Sequence, residues 1–204
     1  MPAIEKLTEI FSKFPGIGPR QSKRFVYFLL TKDHKFIENL TKNLLSLKKN
    51  VSICKSCCRF YESNGKDVCN ICGDSKREDG FLMILEKDTD LENIERTGAY
   101  MGKYFVLGGS VPILDKNPDS KIKSKELLNV IKKGLEVGTL KEVILATSVN
   151  PEGENTNSYL LKTLNPFKEK YQLKISLLGR GLSTGTELEY SDKDTIENAL
   201  RNRA

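Results

Sequence analysis

The chain has 204 residues, with 33 Lys and Arg against 27 Asp and Glu, five Cys, one His and no Trp. That length supports one large or two small domains with a real core, and 38% hydrophobic with 29% charged residues excludes a chain disordered throughout. No uninterrupted apolar run approaches the length of a membrane span, and a single histidine, His34, forces any Ser-His-Asp or Cys-His chemistry through one residue.

Ile4, Leu7, Ile10 and Phe11 recur at helical spacing, which predicts an amphipathic helix over 3–12. Glu5 and Lys6 lie inside that pattern in place of a basic-then-apolar signal segment, so a cytoplasmic location is expected. Phe14-Pro15-Gly16-Ile17-Gly18-Pro19 breaks the pattern, and Pro19 suits the first turn of a second helix running to about Leu30. Phe36, Ile37, Leu40, Leu44 and Leu47 mark a third helix, followed by a cysteine-rich segment over 54–72. From Gly80 the period changes. Phe81–Leu85, Tyr104–Leu107, Glu142–Thr147 and Lys174–Leu178 have strand length, and helical patterns at 90–96, 125–136 and 156–169 lie between them. Ser124 is expected to cap the second of these helices. A last helix over 192–201, capped by Ser191 or Asp192, follows an extended piece at Glu187–Tyr190. Alternating strand and helix predicts a mainly parallel sheet with covering helices, behind a helical N-terminal region: an α+β multidomain chain.

The charge is uneven. Residues 1–60 hold 12 Lys and Arg against 4 Asp and Glu, whereas residues 61–204 hold 21 against 23. A basic first third joined to a mildly acidic remainder suggests a polyanion-binding end and a separate partner-binding end.

Three constellations carry chemistry. Cys54 and Cys57 form one C-x2-C pair, and Cys69 and Cys72 another after eleven residues. Zinc takes four soft ligands in a tetrahedron, and each two-residue gap lets one turn present two thiolates. Four protein ligands leave no open position, so such an ion is structural and its binding energy is folding energy. Cys58 is spare, a packed or solvent-facing thiol in preference to a fifth ligand.

The second is the hairpin itself. Gly16 and Gly18 permit close approach of backbone N–H groups to a phosphate, the following helix N-terminus favours anions, and Arg20, Lys23 and Arg24 add cations over the next turn. Such a motif grips a nucleic-acid backbone without reading bases. Ile17 is expected to tuck inward between the helices.

The third lies at the carboxyl edge of the expected sheet, where Glu86 follows the first strand and Glu152 and Glu154 follow the third. If these carboxylates converge they form an acidic cluster for a hard cation such as Mg2+. The glycine-rich stretch Gly179–Gly185 lacks the Lys-Ser/Thr ending of a phosphate-binding P-loop, so it does not support an ATPase.

In this order the features resemble the bacterial RecR recombination mediator family. The resemblance rests on Pro-Gly-Ile-Gly-Pro-Arg at 15–20, the four cysteines, Glu-Arg-Thr-Gly-Ala-Tyr-Met-Gly-Lys-Tyr-Phe-Val-Leu-Gly-Gly at 95–109, Val-Ile-Leu-Ala-Thr at 143–147, Glu-Gly-Glu at 152–154 and Leu-Glu-Tyr-Ser-Asp at 188–192. It implies a helix-hairpin-helix DNA-binding region over 1–53, a four-cysteine zinc finger over 54–79, a Toprim domain over 80–175 and a C-terminal region over 176–204 that serves oligomerisation. It also implies DNA as a partner, RecO and with it RecF as protein partners, and a dimer or ring-like tetramer that helps load a strand-exchange recombinase onto single-stranded DNA. Catalytic Toprim domains carry an Asp-x-Asp pair just before Glu-Gly-Glu, and here those positions are Ser148 and Asn150. Loss of two hard ligands removes the main electrostatic support for metal-assisted phosphoryl transfer. The expectation is therefore a mediator without catalytic residues, its acidic edge around Glu86 docking a partner protein. A Mg2+-dependent nuclease or primase-like enzyme and a pure protein scaffold are the competing readings.

Overall fold

In the computed structural model, residues 2–115, 117–182, 184–185 and 187–202 are described. The glycine-rich stretch 179–185 includes Ser183, which lies outside them. The chain divides into two compact units at Val51/Ser52.

The first unit holds α1 (Ala3–Ser12), α2 (Pro19–Leu30) and α3 (His34–Asn50). Pro19 occupies the first turn of α2, where its missing N–H costs no helical bond. The α3 start is fixed by Asp33, whose carboxylate accepts the Phe36 N–H at 2.8 Å. Lys48 and Lys49 in its last turn complement the helix dipole. The core is thin: among α1–α3 only Ser22 and Val26 are buried. Phe11 meets Phe14 and Phe25 edge-on, and Phe28 meets Phe36 the same way. Much apolar surface stays outside, with Leu30 at 63% and Leu45 at 70% exposure.

At the start of the second unit is a two-stranded ribbon, β1 (Val51–Ile53, whose first residue closes the first unit) and β2 (Phe60–Glu62), too short for periodicity to reveal. It continues through β3 (Glu78–Leu85), α4 (Asp88–Thr97), β4 (Gly102–Val106), α5 (Ser124–Val137), β5 (Glu142–Ala146), α6 (Pro151–Tyr171), β6 (Lys174–Leu177) and α7 (Lys193–Arg201). The four longer strands form one parallel sheet in the order β4-β3-β5-β6. Period-two alternation sorts their side chains onto two faces. Leu82, Ile84, Phe105, Leu107, Val143 and Leu145 pack with Leu127 and Ile131 of α5 and Leu160 and Leu164 of α6. Met83, Leu85, Tyr104, Val106 and Ala146 pack with Leu91 of α4 and with Cys54, Cys57, Cys69 and Ile71. The cysteine segment thus covers part of a sheet face that an α/β fold ordinarily gives to a helix.

Three local expectations change. Ser124 is the first residue of α5, not its cap: the chain enters from a 3-10 turn at Pro118–Ser120, and the buried Ser124 hydroxyl donates to Asp119 at 2.8 Å. Glu187–Tyr190 is not extended, because Leu188–Tyr190 forms a 3-10 turn. The helix expected over 156–169 begins at Pro151, where Asn150 accepts the Gly153 N–H at 2.8 Å. The α7 cap is Asp192, accepting from Thr195. Among the described residues no helix is long and apolar enough to cross a membrane.

Candidate metal centre and nucleic-acid interface

Each C-x2-C pair is shaped by a backbone turn. Cys54 N–H donates to Arg59 and Cys58 N–H to Cys54, while Gly73 N–H closes the second turn on Cys69. Lys55 joins the two turns through its N–H to the Asp67 carbonyl and its ammonium to the Asp67 carboxylate, 2.8 Å away. The result brings one sulfur each from Cys54, Cys57, Cys69 and Cys72 within 4.8 Å of one another, the one such group among the described residues. Cys57 and Cys69 sulfurs lie 3.6 Å apart. A tetrahedron with bonds of about 2.3 Å has edges of about 3.8 Å, so the donor set fits a tetrahedral thiolate-bound ion. Hydrogen bonds from Cys57 and Cys72 hold the Cys69 thiol far below its ordinary range, and the bond to Cys69 pushes Cys57 far up. Cys58 stands apart from this set. It adopts a left-handed backbone at φ 60° and packs at 6% exposure among the residues of the other sheet face.

In the first unit, the hairpin places Gly16 at φ +73°, a conformation that disfavours any side chain. Gly18 is different: it caps α2 in an extended conformation, with nothing within 4 Å of where a Cβ would stand. Among the described residues nothing therefore requires glycine at 18, and the open space is available to an outside group. Ser22, fully buried, donates its hydroxyl back to the Gly18 carbonyl at 3.0 Å and fixes the hairpin on the helix. Ile17 is half-buried. Arg20, Lys23 and Arg24 are all exposed, and none makes an ion pair among the described residues. Arg24 donates to the Gln21 side chain at 3.5 Å.

The carboxyl edge of the sheet departs from the expected cluster. Glu86 is 2% exposed, and its two oxygens accept the Ser148 N–H at 3.2 Å and the Ser148 hydroxyl at 2.5 Å. Glu152 accepts from Ser110 at 3.0 Å, and Glu154 pairs with Arg180. The three carboxylates are thus not gathered into one ligand set: Glu86 turns inward and the other two turn to separate partners. Gly153 sits between them, where a Cβ would strike the Ser148 carbonyl and approach Glu86 Oε1 to 3.2 Å.

Sequence reasoning missed the groups that bind the cysteine segment to the α/β fold. Arg77 is bidentate on Glu95, which also accepts the Tyr104 hydroxyl at 2.6 Å. Arg77 holds Glu95 below the ordinary carboxylate range, and burial pushes the Tyr104 phenol up. Val106 N–H, on the outer edge of β4, donates to the Cys57 carbonyl at 2.8 Å. Lys103 and Lys123 reach the same segment through their ammonium groups. Their partners lie 29 to 65 residues away in sequence, so no local motif announces them.

The fold and its site define a helix-hairpin-helix protein with a Toprim domain. The family model for the RecR helix-hairpin-helix matches residues 4–47, and that for the Toprim domain matches residues 80–178. A recombination protein RecR of Bdellovibrio bacteriovorus is 35% identical over 204 residues, covering 98% of this chain and 96% of the relative. Recombination protein RecR of Chloroherpeton thalassium is 37% identical, covering 99% and 96%. The chain belongs to the RecR family of recombination proteins.

Proposed function

We propose that this protein is a DNA-binding mediator of recombinational repair that holds phosphates with Arg20, Lys23, Arg24 and the Gly16–Gly18 backbone and carries out no reaction of its own. The observation that carries the reading is the hairpin: three exposed cations, none in an ion pair among the described residues, follow a glycine with open space above it, at a helix N-terminus. Backbone N–H groups and mobile cations are what sequence-independent phosphate binding requires. The first unit has ten Lys and Arg against four Asp and Glu, which adds a favourable field.

Cys54, Cys57, Cys69 and Cys72 hold one structural Zn2+ in this reading, supported by their spacing and mutual distances. Zinc there supplies folding energy to a segment too small for a core of its own. The absence of a reaction is supported by Ser148 and Asn150 at the two aspartate positions, by the inward turn of Glu86, and by the separate partners of Glu152 and Glu154. Mg2+ has no role in it.

The working division is 1–53 for DNA, 54–79 for zinc, 80–175 as the Toprim domain and 176–204 for self-assembly. The apolar side chains left outside on α1–α3 and around α7, such as Leu45, Leu188 and Tyr190, favour a homo-oligomer, a dimer or tetrameric ring. Copies in a ring multiply a weak phosphate site into useful affinity. RecO, with RecF as a second partner, docks at the sheet edge whose exposed acids are Glu152 and Glu154, Glu86 shaping that edge from within. Together they help load the strand-exchange recombinase onto single-stranded DNA, in the cytoplasm and at the nucleoid during repair.

Titration of the full chain with single- and double-stranded DNA at low and moderate salt, with and without RecO and Mg2+, tests the reading. Salt-sensitive binding with intact DNA strands and RecO capture is expected. Mg2+-dependent cleavage or synthesis would establish an enzyme instead, and protein capture without DNA binding would establish a scaffold.

A further inference from the structure

Four thiolates around a divalent cation leave a net double negative charge, and here that charge falls in a nearly dry place: Cys54, Cys57 and Cys69 are at most 1% exposed. Buried charge is costly unless compensated by opposite charge and hydrogen bonds. Two lysines meet that need, one at each turn. Lys103 of β4 donates to the carbonyls of Cys72 and Asp74, both at 3.1 Å, and of Ile71 at 3.5 Å. Lys123 donates to the carbonyl of Cys58 at 2.7 Å. Both are half-buried, and among the described residues no other lysine ammonium rests on the carbonyls of these turns. Lys55, by contrast, is exposed and paired with Asp67.

The seats are built for them. Lys123 runs over Gly108, where an added Cβ would stand 3.2 Å from its Cε. Lys103 lies with 19% of its side chain exposed, and among the described residues its one ion pair is with Asp79, 3.6 Å away and largely in solvent. A lysine carries three donors and no acceptor, so three carbonyls saturate Lys103 while its charge stays unneutralised by a buried anion.

We infer that Lys103 and Lys123 are the charge partners of the cysteine-bound ion, one gripping each turn, and that they set how firmly the protein keeps its metal. This rests on the zinc reading above. Groups that orient and polarise metal ligands in this way change metal affinity by about 10–100-fold when removed.

Zinc content of the purified full chain, followed by the rate of zinc loss to an excess of a colorimetric chelator, separates the two claims. Wild type should carry one zinc per chain. Lys103→Met and Lys123→Met should fill to the same level yet lose zinc at least about tenfold faster, with Lys121→Met, whose ammonium pairs with Asp115, unchanged. Lys103→Gln keeps a donor without the charge and should also release faster, which loss of a hydrogen bond alone does not predict. In the Co2+-substituted protein, the thiolate-to-metal band of the Met variants should move to longer wavelength, because removing a cation raises the filled sulfur orbitals. Wild type without zinc would overturn the zinc reading and this inference together. Zinc-loaded variants with wild-type release rates and an unmoved band would overturn this inference alone.

Discussion

The two units of this chain are made to opposite specifications. The first, ending at Val51, holds ten Lys and Arg against four Asp and Glu and so carries the whole formal excess of +6; the second is balanced. The first buries Val26 and little else along three helices, whereas the second buries whole side chains on both faces of a sheet, with Phe105, Ile131, Val143 and Leu160 at 0% exposure. The first unit leaves cations and large apolar side chains such as Leu30 and Leu45 on its surface. A unit with two packed faces and a braced cysteine cluster stands on its own interior. The difference teaches where packing lies: the first unit keeps most of its cations and apolar side chains outside, while the second encloses its apolar side chains on both faces of the sheet.

The largest effect should come from the deep core. Ile131→Ala, in α5 against the sheet, should lower unfolding free energy by about 2–5 kcal/mol in chemical denaturation, with DNA affinity per folded molecule unchanged. A loss below about 1 kcal/mol would break the claim that the second unit is held by its interior.

Next is the half-buried polar contact between Arg77 and Glu95. Arg77 and Tyr104 both stabilise the ionised Glu95, so its folded-state pKa is depressed. Such a group contributes stability above its unfolded value, near 4.3, that is lost as pH falls through the lower folded value. Glu95→Gln should cost about 1.5–3 kcal/mol at neutral pH and flatten the fall in stability below about pH 4. An acid limb as steep as in wild type would show that other carboxylates carry it.

Smaller again is Leu45→Ala in α3. At 70% exposure this side chain should change unfolding free energy by no more than about 0.5 kcal/mol at protein concentrations that keep the chain monomeric. A destabilisation near that of Ile131→Ala would mean that the first unit has an interior of its own.

Much of this architecture is legible in the residues before any coordinates. Cys54, Cys57, Cys69 and Cys72 announce their cluster because metal geometry limits spacing, and the strand runs announce the sheet because buried parallel strands are continuous in apolar residues. What escapes is long-range or local in ways periodicity does not encode. The start of α6 at Pro151 is written in an Asn cap and a proline, with no apolar stripe until later residues. Ser124 looks like a cap because its type favours one, but Asp119 takes its hydroxyl. Glu86, Glu152 and Glu154 cluster in sequence logic and separate in space, since each finds a nearer donor: Ser148, Ser110 and Arg180. Lys103 and Lys123 are indistinguishable in sequence from the many surface lysines, and only the fold sets them on the cysteine turns.

The most direct test of the central claim is the salt dependence of DNA binding by the full chain, compared with Arg20→Ala/Lys23→Ala/Arg24→Ala. If each cation holds one phosphate, the slope of log affinity against log salt should fall by about three units, and by about one for Lys23→Ala alone, equally for unrelated DNA sequences and with thermal stability unchanged. Wild-type affinity and slope in the triple variant would contradict the account and place the nucleic-acid interface elsewhere in the molecule.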